Sequence, residues 1–303
     1  MKAQSEFSVS RFEKAIASTR SKGTAAQYAI AARGFLGWLA EHGCTSVERA
    51  KKSALQDYVA ELSSQLKPAS VRLKLQGVQR YLKWCKGRGL NVPDFAEPDM
   101  PRVKIKVRDI LSRPALREFM ERADRWLESP PLKTAVQLLP CCGLRVDEIA
   151  TLRLEDVRTA EVELTGGAKR KCLVLRVVGK GGRERTVPVL DEGQFALTEY
   201  VRGWRRHRGG DWLFPSDTSK SGHVVTRTLQ LAVEKARPPD VHCTPHTFRR
   251  TYLTELYRRG VAPPTIARIA GHANLDTLYK HYLNIDETEA LKAVHGTGNR
   301  LLA

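Results

Sequence analysis

One stretch interrupts the helical pattern that precedes it and divides the chain. Residues 89–109, GLNVPDFAEPDMPRVKIKVRD, contain three prolines and show no helical period. Proline ends helices and disfavours helical geometry in the residue before it, so this stretch is predicted to be a linker. The sequence therefore predicts two domains, residues 1–105 and residues 110–303, each long enough to bury a core.

The first domain is predicted to be a bundle of about four short helices. Between Ser8 and Gly89, apolar residues recur at three- and four-residue steps, as in AAQYAIAARGFLGWLAEHG. The last predicted helix is studded with basic side chains. These are Arg72, Lys74, Arg80, Lys83, Lys86 and Arg88. A solvated charged face and a phosphate-contacting face both fit this pattern, and the charge of the whole chain favours the second.

The second domain is predicted to be helical around one small sheet. Its first helix, SRPALREFMERADRW, has Ser112 as its expected cap and Pro114 in its first turn. From about residue 160 to 190, β-branched residues alternate with polar ones around glycine turns, which indicates antiparallel strands. Helical periodicity resumes near Asp191. The predicted fold class is mainly α with a small antiparallel β-sheet.

Net charge points to a polyanionic partner. The chain has 51 Lys and Arg against 33 Asp and Glu, which gives +18. Nucleic acid is the commonest partner of so basic a protein, although a basic protein without a polyanionic partner is the alternative.

Cysteine usage and hydropathy bound the cellular setting. The six cysteines form no spaced C-x-x-C framework, so we expect reduced thiols and no metal site. No apolar run approaches the roughly 18 residues of a membrane span, and no signal peptide is apparent. We therefore expect a cytoplasmic protein that makes no contact with membranes.

Two local motifs in the second domain carry basic side chains at chain turns. In GLRVDE, Arg145 leads into a helix, and Glu148 lies one turn on, where it is expected to hold the arginine rather than react. In VVGKGGRERTVPV, Lys180 lies between Gly179 and Gly181 at a predicted hairpin tip. Each motif alone also fits an ordinary feature, a surface ion pair or a solvated turn lysine.

Two further motifs combine histidine with a helix end. In CTPHTFRR, Thr244 is the expected cap of a helix whose first turn carries His246 and, three residues on, Arg249. The positive pole of that helix end favours an anion, although a plain helix start fits equally well. In IAGHANLDT, Gly271 is expected to end a helix and His272 to follow in the turn, where a packing role is the alternative.

Together the four motifs resemble those of the tyrosine recombinase, or phage integrase, family. In that family an arginine in a G-L-R-x-x-E context, a hairpin lysine, an H-x-x-R pair, a G-H histidine and a carboxy-terminal tyrosine occur in this order. This chain has GLRVDE, GKGGRERTVPV, HTFR and GHANLDT in the same order. The resemblance covers most of the chain. It implies a helical amino-terminal core-binding domain that clamps DNA, residues 1–105, and a mixed α+β catalytic domain, residues 110–303.

The resemblance implies a site-specific recombinase that cleaves and rejoins double-stranded DNA without a cofactor. A tyrosine would attack the scissile phosphorus, release a 5′-hydroxyl and leave a 3′-phosphotyrosyl link. Arg145 and Arg249 would neutralise the transition state, and Lys180 would protonate the leaving oxygen. His246 would accept a proton or bind the phosphate, and His272 would donate a hydrogen bond to it.

Two tyrosines compete for the role of nucleophile. In most family members it lies nine residues after the G-H histidine, and that position here is His281. Tyr282 stands at ten and Tyr279 at seven. One extra residue in the turn would bring Tyr282 into place, whereas the Y-x-H context favours Tyr279. We choose Tyr282.

Two other functions remain open at this stage. A non-catalytic, sequence-specific DNA-binding protein would need the charge but not the set of motifs. A type IB topoisomerase-like enzyme would relax DNA with the same chemistry, but the separate helical domain favours recombination. Because recombination joins two duplexes, we expect a homotetramer on two DNA sites.

Overall fold

The computed structural model describes residues 8–100, 110–163, 167–179 and 182–272. The chain divides into two compact units, Met1–Ile105 and Lys106–Ala303. Each unit encloses a hydrophobic core of its own. Within the described residues, no helix combines the length and the apolarity that crossing a membrane would require.

The first unit is built from four helices. They are α1 (Val9–Ala17), α2 (Lys22–Glu41), α3 (Ala54–Gln65) and α4 (Pro68–Lys86). The Ser8 and Ser21 side chains accept backbone hydrogen bonds at the starts of α1 and α2, which satisfies donors that a helix leaves open. Phe12 and Phe35 are fully buried in the core. The predicted bundle of about four helices is confirmed.

The basic residues at the end of the first unit lie at its surface. Arg72, Arg80, Lys83 and Lys86 are exposed on α4. Arg88 follows the helix, and its guanidinium carbon lies 4.4 Å from the centroid of the Trp84 ring. Among the described residues, none of the six basic residues noted in the sequence forms an ion pair with an acidic side chain. Their charge is therefore available to an external anion.

The second unit combines seven helices of the described chain with one sheet. The helices are α5 (Arg113–Trp126), α6 (Pro130–Cys142), α7 (Val146–Ala150), α8 (Asp191–Arg202), α9 (Thr226–Ala236), α10 (Pro245–Arg258) and α11 (Pro263–Ala270). The strands are β1 (Val157–Glu163), β2 (Lys169–Val178) and β3 (Glu184–Pro188). Ser112 caps α5 by accepting from the Ala115 N–H, as predicted. The helix predicted near Asp191 is α8.

The sheet is antiparallel throughout, with the order β1-β2-β3. Leu175 on β2 pairs with Val157 on one side and Val187 on the other, and Leu175 and Val187 are fully buried. One face of the sheet therefore closes the core of the unit. The predicted sheet at about 160–190 and the predicted fold class, mainly α with a small antiparallel sheet, are confirmed.

A buried arginine organises the loop after α8. The Arg205 side chain is 1% exposed. Its Nε donates to the Trp212 carbonyl at 2.9 Å, and its two Nη atoms donate to the Arg208 and Gly210 carbonyls. A single planar group thus donates to three backbone carbonyls and ties residues 208, 210 and 212 of the loop together.

Replacing this arginine should destabilise the second unit without touching its surface. We expect Arg205→Met to lower the free energy of unfolding by about 2–4 kcal/mol, because the loop loses the three hydrogen bonds that this buried side chain donates. Urea denaturation measures the change. The control is Arg206→Met at the exposed neighbour, which should shift stability by less than about 0.5 kcal/mol. Equal midpoints for the two variants would contradict the role of Arg205.

Candidate active site

A glycine turn brings Arg145 to the start of α7. Gly143 ends α6 with φ of 58°, a left-handed conformation. A Cβ atom there would lie 2.3 Å from Cδ1 of Tyr252 on α10, so only glycine allows this approach. The turn places Arg145 directly before α7 and brings the backbone of the turn against α10.

Glu148 holds Arg145 by both backbone and side chain. Its Oε2 accepts from the Arg145 N–H at 2.9 Å, and its Oε1 accepts from Arg145 Nη1 at 3.0 Å. The Arg145 side chain is 41% exposed, whereas that of Glu148 is 10% exposed. The expected contact between these two residues is confirmed, and it presents the arginine to solvent in a fixed orientation.

A second arginine, on β3, shares the same carboxylate. Arg185 Nη2 donates to Glu148 Oε2 at 2.7 Å, and the Arg185 side chain is only 7% exposed. Burial by itself would raise the pKa of Glu148. The hydrogen bond from Arg185, then that from the Arg145 backbone, and the two positive charges outweigh burial and lower the pKa below its ordinary value. Glu148 is therefore ionised and binds two cations, Arg145 and Arg185.

Arg249 on α10 is buried and bound to backbone carbonyls. Its side chain is 1% exposed. Nη1 donates to the Gly143 carbonyl at 2.7 Å, and Nη2 donates to the Ala270 carbonyl. Nη2 also lies 3.3 Å from His272 Nε2. A guanidinium can only donate, so Nε2 is the acceptor in this contact.

The carboxy-terminal end of α11 gathers these arginines. The Ala270 carbonyl accepts from Arg249 and, at 3.5 Å, from Arg145 Nη1, while the Ile269 carbonyl accepts from Arg185 Nε at 2.8 Å. The last carbonyls of a helix lack helical partners and lie at its negative pole, which favours cations there. Helix α11 thus joins three guanidinium groups into one cluster.

Gly271 ends α11 and leads into His272, as predicted. Its φ of 66° is left-handed. A Cβ atom at this position would lie 3.1 Å from Arg185 Cζ, so a side chain would press on the guanidinium. The turn therefore sets His272 beside Arg249 and leaves room for Arg185.

Of the other predicted site residues, the structure describes His246 but not Lys180 or the two tyrosines. His246 lies in the first turn of α10, exposed, three residues before Arg249; the predicted Thr244 cap of this helix is confirmed. The hairpin between β2 and β3 is also confirmed, closed by a 2.8 Å bond from the Gly179 N–H to the Arg183 carbonyl. Lys180 lies outside the described residues, and so do Tyr282 and Tyr279. Hydrogen bonds link Arg145, Arg249 and His272.

Arg185 was not among the predicted site residues, although the sequence contains a signal for it. In β3 it lies two residues before the buried Val187, and alternate residues of a strand share a face. An arginine on the inward face of a strand is rarely buried without a partner for its charge. Glu148 supplies it.

The cluster is suited to bind a phosphate. Three arginines and one glutamate leave a surplus of two positive charges around Arg145, Arg185, Arg249 and Glu148. Within the part of the chain that the structure describes, no three His, Cys, Asp or Glu side chains group closely enough to hold a metal ion. The guanidinium groups of the cluster can stabilise an anion through charge-assisted hydrogen bonds.

Glu148 should contribute stability that depends on pH. Its pKa is lowered in the folded protein, so its contribution is present above the unfolded pKa of about 4.3 and is lost as the pH falls through the lower folded value. We expect Glu148→Gln to cost about 1–3 kcal/mol near neutral pH, and the difference from wild type to shrink below pH about 4.

Denaturation at a series of pH values measures this. Glu118→Gln, at an exposed glutamate on α5, is the control and should change stability by less than about 0.5 kcal/mol. If the cost of Glu148→Gln were constant across the pH range, the ionised carboxylate of Glu148 would not be the source of this stability.

Comparisons with known proteins agree with this geometry. Residues 111–289 match the phage integrase family. The chain is 30% identical over 268 residues to tyrosine recombinase XerD of Pseudomonas putida, which covers 82% of each chain.

Solved structures share the fold. One is the XerH site-specific recombinase bound to its difH substrate in a pre-cleavage complex, with a TM-score of 0.66 and 18% identity over 89% of this chain and 78% of that one. Another is a lambda integrase dimer bound to a COC′ core site, with a TM-score of 0.67 and 16% identity over 93% of this chain and 97% of that one. The chain belongs to the phage integrase family and is a tyrosine-type site-specific DNA recombinase.

Proposed function

We propose that the protein cleaves and rejoins double-stranded DNA through a covalent 3′-phosphotyrosyl intermediate. The proposed catalytic residues are Arg145, Lys180, His246, Arg249, His272 and Tyr282. The observation that carries the proposal is the convergence of Arg145, Arg249 and His272 at the end of α11, where hydrogen bonds hold them together. A protein that only bound DNA would need positive charge but not this arrangement.

The proposed reaction is a transesterification. The Tyr282 oxygen attacks the scissile phosphorus, the bond from phosphorus to the 5′-oxygen breaks, and the phosphate passes to the tyrosine. Lys180 gives a proton to the departing 5′-oxygen, and His246 accepts the proton of the tyrosine hydroxyl or binds the phosphate. Attack by a 5′-hydroxyl reverses the step. The bond energy is stored in the phosphotyrosyl link, so rejoining needs no cofactor.

The arginines stabilise the charge that develops on the non-bridging oxygens. Arg249 is buried and fixed before DNA arrives, and Arg145 is held by Glu148 with part of its guanidinium in solvent. Donors that are fixed in advance need no reorganisation during the reaction, and removing one such group costs about 10²–10³ in rate. His272 would add a hydrogen bond to the same phosphate.

His246 is placed for contact with an anion. It lies in the first turn of α10, where the helix dipole is positive, and its side chain is exposed. An imidazole titrates close to neutral pH, so it can take up the proton of a phenol that is attacking phosphorus. Arg249, three residues later, points into the cluster from the same helix.

We assign residues 1–105 to a core-binding domain that clamps DNA and residues 110–303 to the catalytic domain. The exposed basic residues of α4 support the first assignment, because they supply phosphate contacts without ion pairs of their own among the described residues. The XerH and lambda integrase structures are complexes with DNA. A double-stranded DNA substrate also fits the expected cytoplasmic location.

Covalent capture tests the reaction and the choice of tyrosine. The binding site is first identified as the duplex that the protein selects from a randomised library. The probe is this duplex with a nick near the cleavage position. After cleavage, the short fragment that carries the 5′-hydroxyl diffuses away, so rejoining is prevented. We expect wild type and Tyr279→Phe to form a protein–DNA adduct visible on a denaturing gel. Tyr282→Phe should bind the duplex with unchanged affinity and form none.

The controls separate the alternatives. An adduct with Tyr282→Phe but not with Tyr279→Phe would move the nucleophile to Tyr279. Binding without any adduct from wild type would support a non-catalytic DNA-binding protein instead. Relaxation of supercoiled DNA that lacks the selected site would support a topoisomerase-like activity.

The expected assembly is a homotetramer on two DNA sites. Two duplexes present four strands to cut, and each cleavage needs a tyrosine of its own. The Tyr282→Phe substitution prevents cleavage. Light scattering of this variant with the selected duplex should give a mass of about four chains with two duplexes. One chain per duplex at all concentrations would contradict this assembly.

A further inference from the structure

We propose that Arg185 is a positioning residue for the recombination site, acting through Glu148 on Arg145 and through the end of α11 on His272. This inference rests on the proposed function, because it gives Arg185 an indirect role in stabilising the transition state of that reaction. Arg185 itself is only 7% exposed. Its Nη2 and Nε atoms are bound to Glu148 and to the Ile269 carbonyl, so in this proposal it acts through these neighbours rather than by touching DNA.

The first connection runs through the carboxylate. Glu148 Oε2 accepts from Arg185 Nη2 at 2.7 Å and from the Arg145 N–H at 2.9 Å, while Oε1 accepts from Arg145 Nη1 at 3.0 Å. With Arg185 present, two cations share one negative charge. Without it, the buried carboxylate would draw on Arg145 alone, and less of the Arg145 charge would be available to the phosphate.

The second connection runs through the backbone of α11. Arg185 Nε donates to the Ile269 carbonyl at 2.8 Å, and the guanidinium fills the space beside Gly271. The next carbonyl, that of Ala270, receives Arg249. Arg185 thus fixes the turn from which His272 reaches Arg249.

Both contacts require the planar fork of arginine. Nε and Nη2 belong to one rigid group, and they donate to a carbonyl on α11 and a carboxylate on α7 at the same time. A lysine ammonium keeps the charge but is a compact point on a flexible stem, so it cannot reproduce this spacing. Arg185→Lys therefore separates geometry from charge.

The experiment measures single-turnover cleavage of the nicked duplex and, separately, the Kd for the intact duplex. We expect Arg185→Lys to slow cleavage by about tenfold or more, as for a displaced transition-state donor, with the Kd changed by less than about twofold. The matched control is Arg205→Lys. It alters another buried arginine of the same unit that donates to backbone carbonyls outside the cluster, and folded Arg205→Lys should cleave at the wild-type rate.

A second readout distinguishes positioning from general damage. A duplex with a neutral methylphosphonate at the scissile position carries less charge for Arg145 to neutralise. On this probe the deficit of Arg185→Lys relative to wild type should shrink at least about fivefold, as should that of Arg145→Ala. A structural defect would reduce cleavage of both probes equally.

Coupling through the carboxylate is tested by combining substitutions. If Arg185 acts through Glu148, then Arg185→Gln with Glu148→Gln should cleave about as slowly as the slower single variant, whereas independent effects would multiply. Wild-type cleavage by Arg185→Lys, equal deficits on both probes, or multiplied effects would each overturn the positioning role and leave the proposed function intact. Binding without an adduct from wild type would overturn both.

Discussion

The site depends on the unsatisfied carbonyls at the end of one short helix. Helix α11 offers the Ile269 and Ala270 carbonyls at its negative pole, and three arginines from different parts of the second unit donate to them. Like charges would otherwise repel one another at such close quarters. Together with the Glu148 carboxylate, these dipoles make it favourable to assemble a surplus of positive charge before any phosphate is present.

The same device serves a different purpose elsewhere in the unit. Arg205 also donates to several carbonyls, but it is sealed inside a loop and holds only that loop. Arg145 differs from both Arg205 and Arg249 because its side chain is 41% exposed. Burial therefore distinguishes Arg205 and Arg249, which backbone carbonyls hold inside the unit, from Arg145, whose guanidinium lies partly in solvent.

Local patterns predicted the fold and part of the site. Helix caps such as Ser112 and Thr244, the glycine stop at Gly271 and the strand pattern around residue 170 act over a few neighbours, and sequence shows them directly. The contact of Arg185 with Glu148 joins residues 37 apart, and no local period encodes it. The motifs gave the composition of the site, but the partners of each arginine depend on tertiary packing.

Three of the acceptors in the cluster belong to the main chain. The carbonyls of Gly143, Ile269 and Ala270 would be present whatever side chains stood at those positions. Substitutions at residues 269 and 270 that fit the core therefore leave these acceptors in place. The arginines and the two glycine turns have no such freedom, so a functional relative could diverge widely around them and still assemble the same cluster.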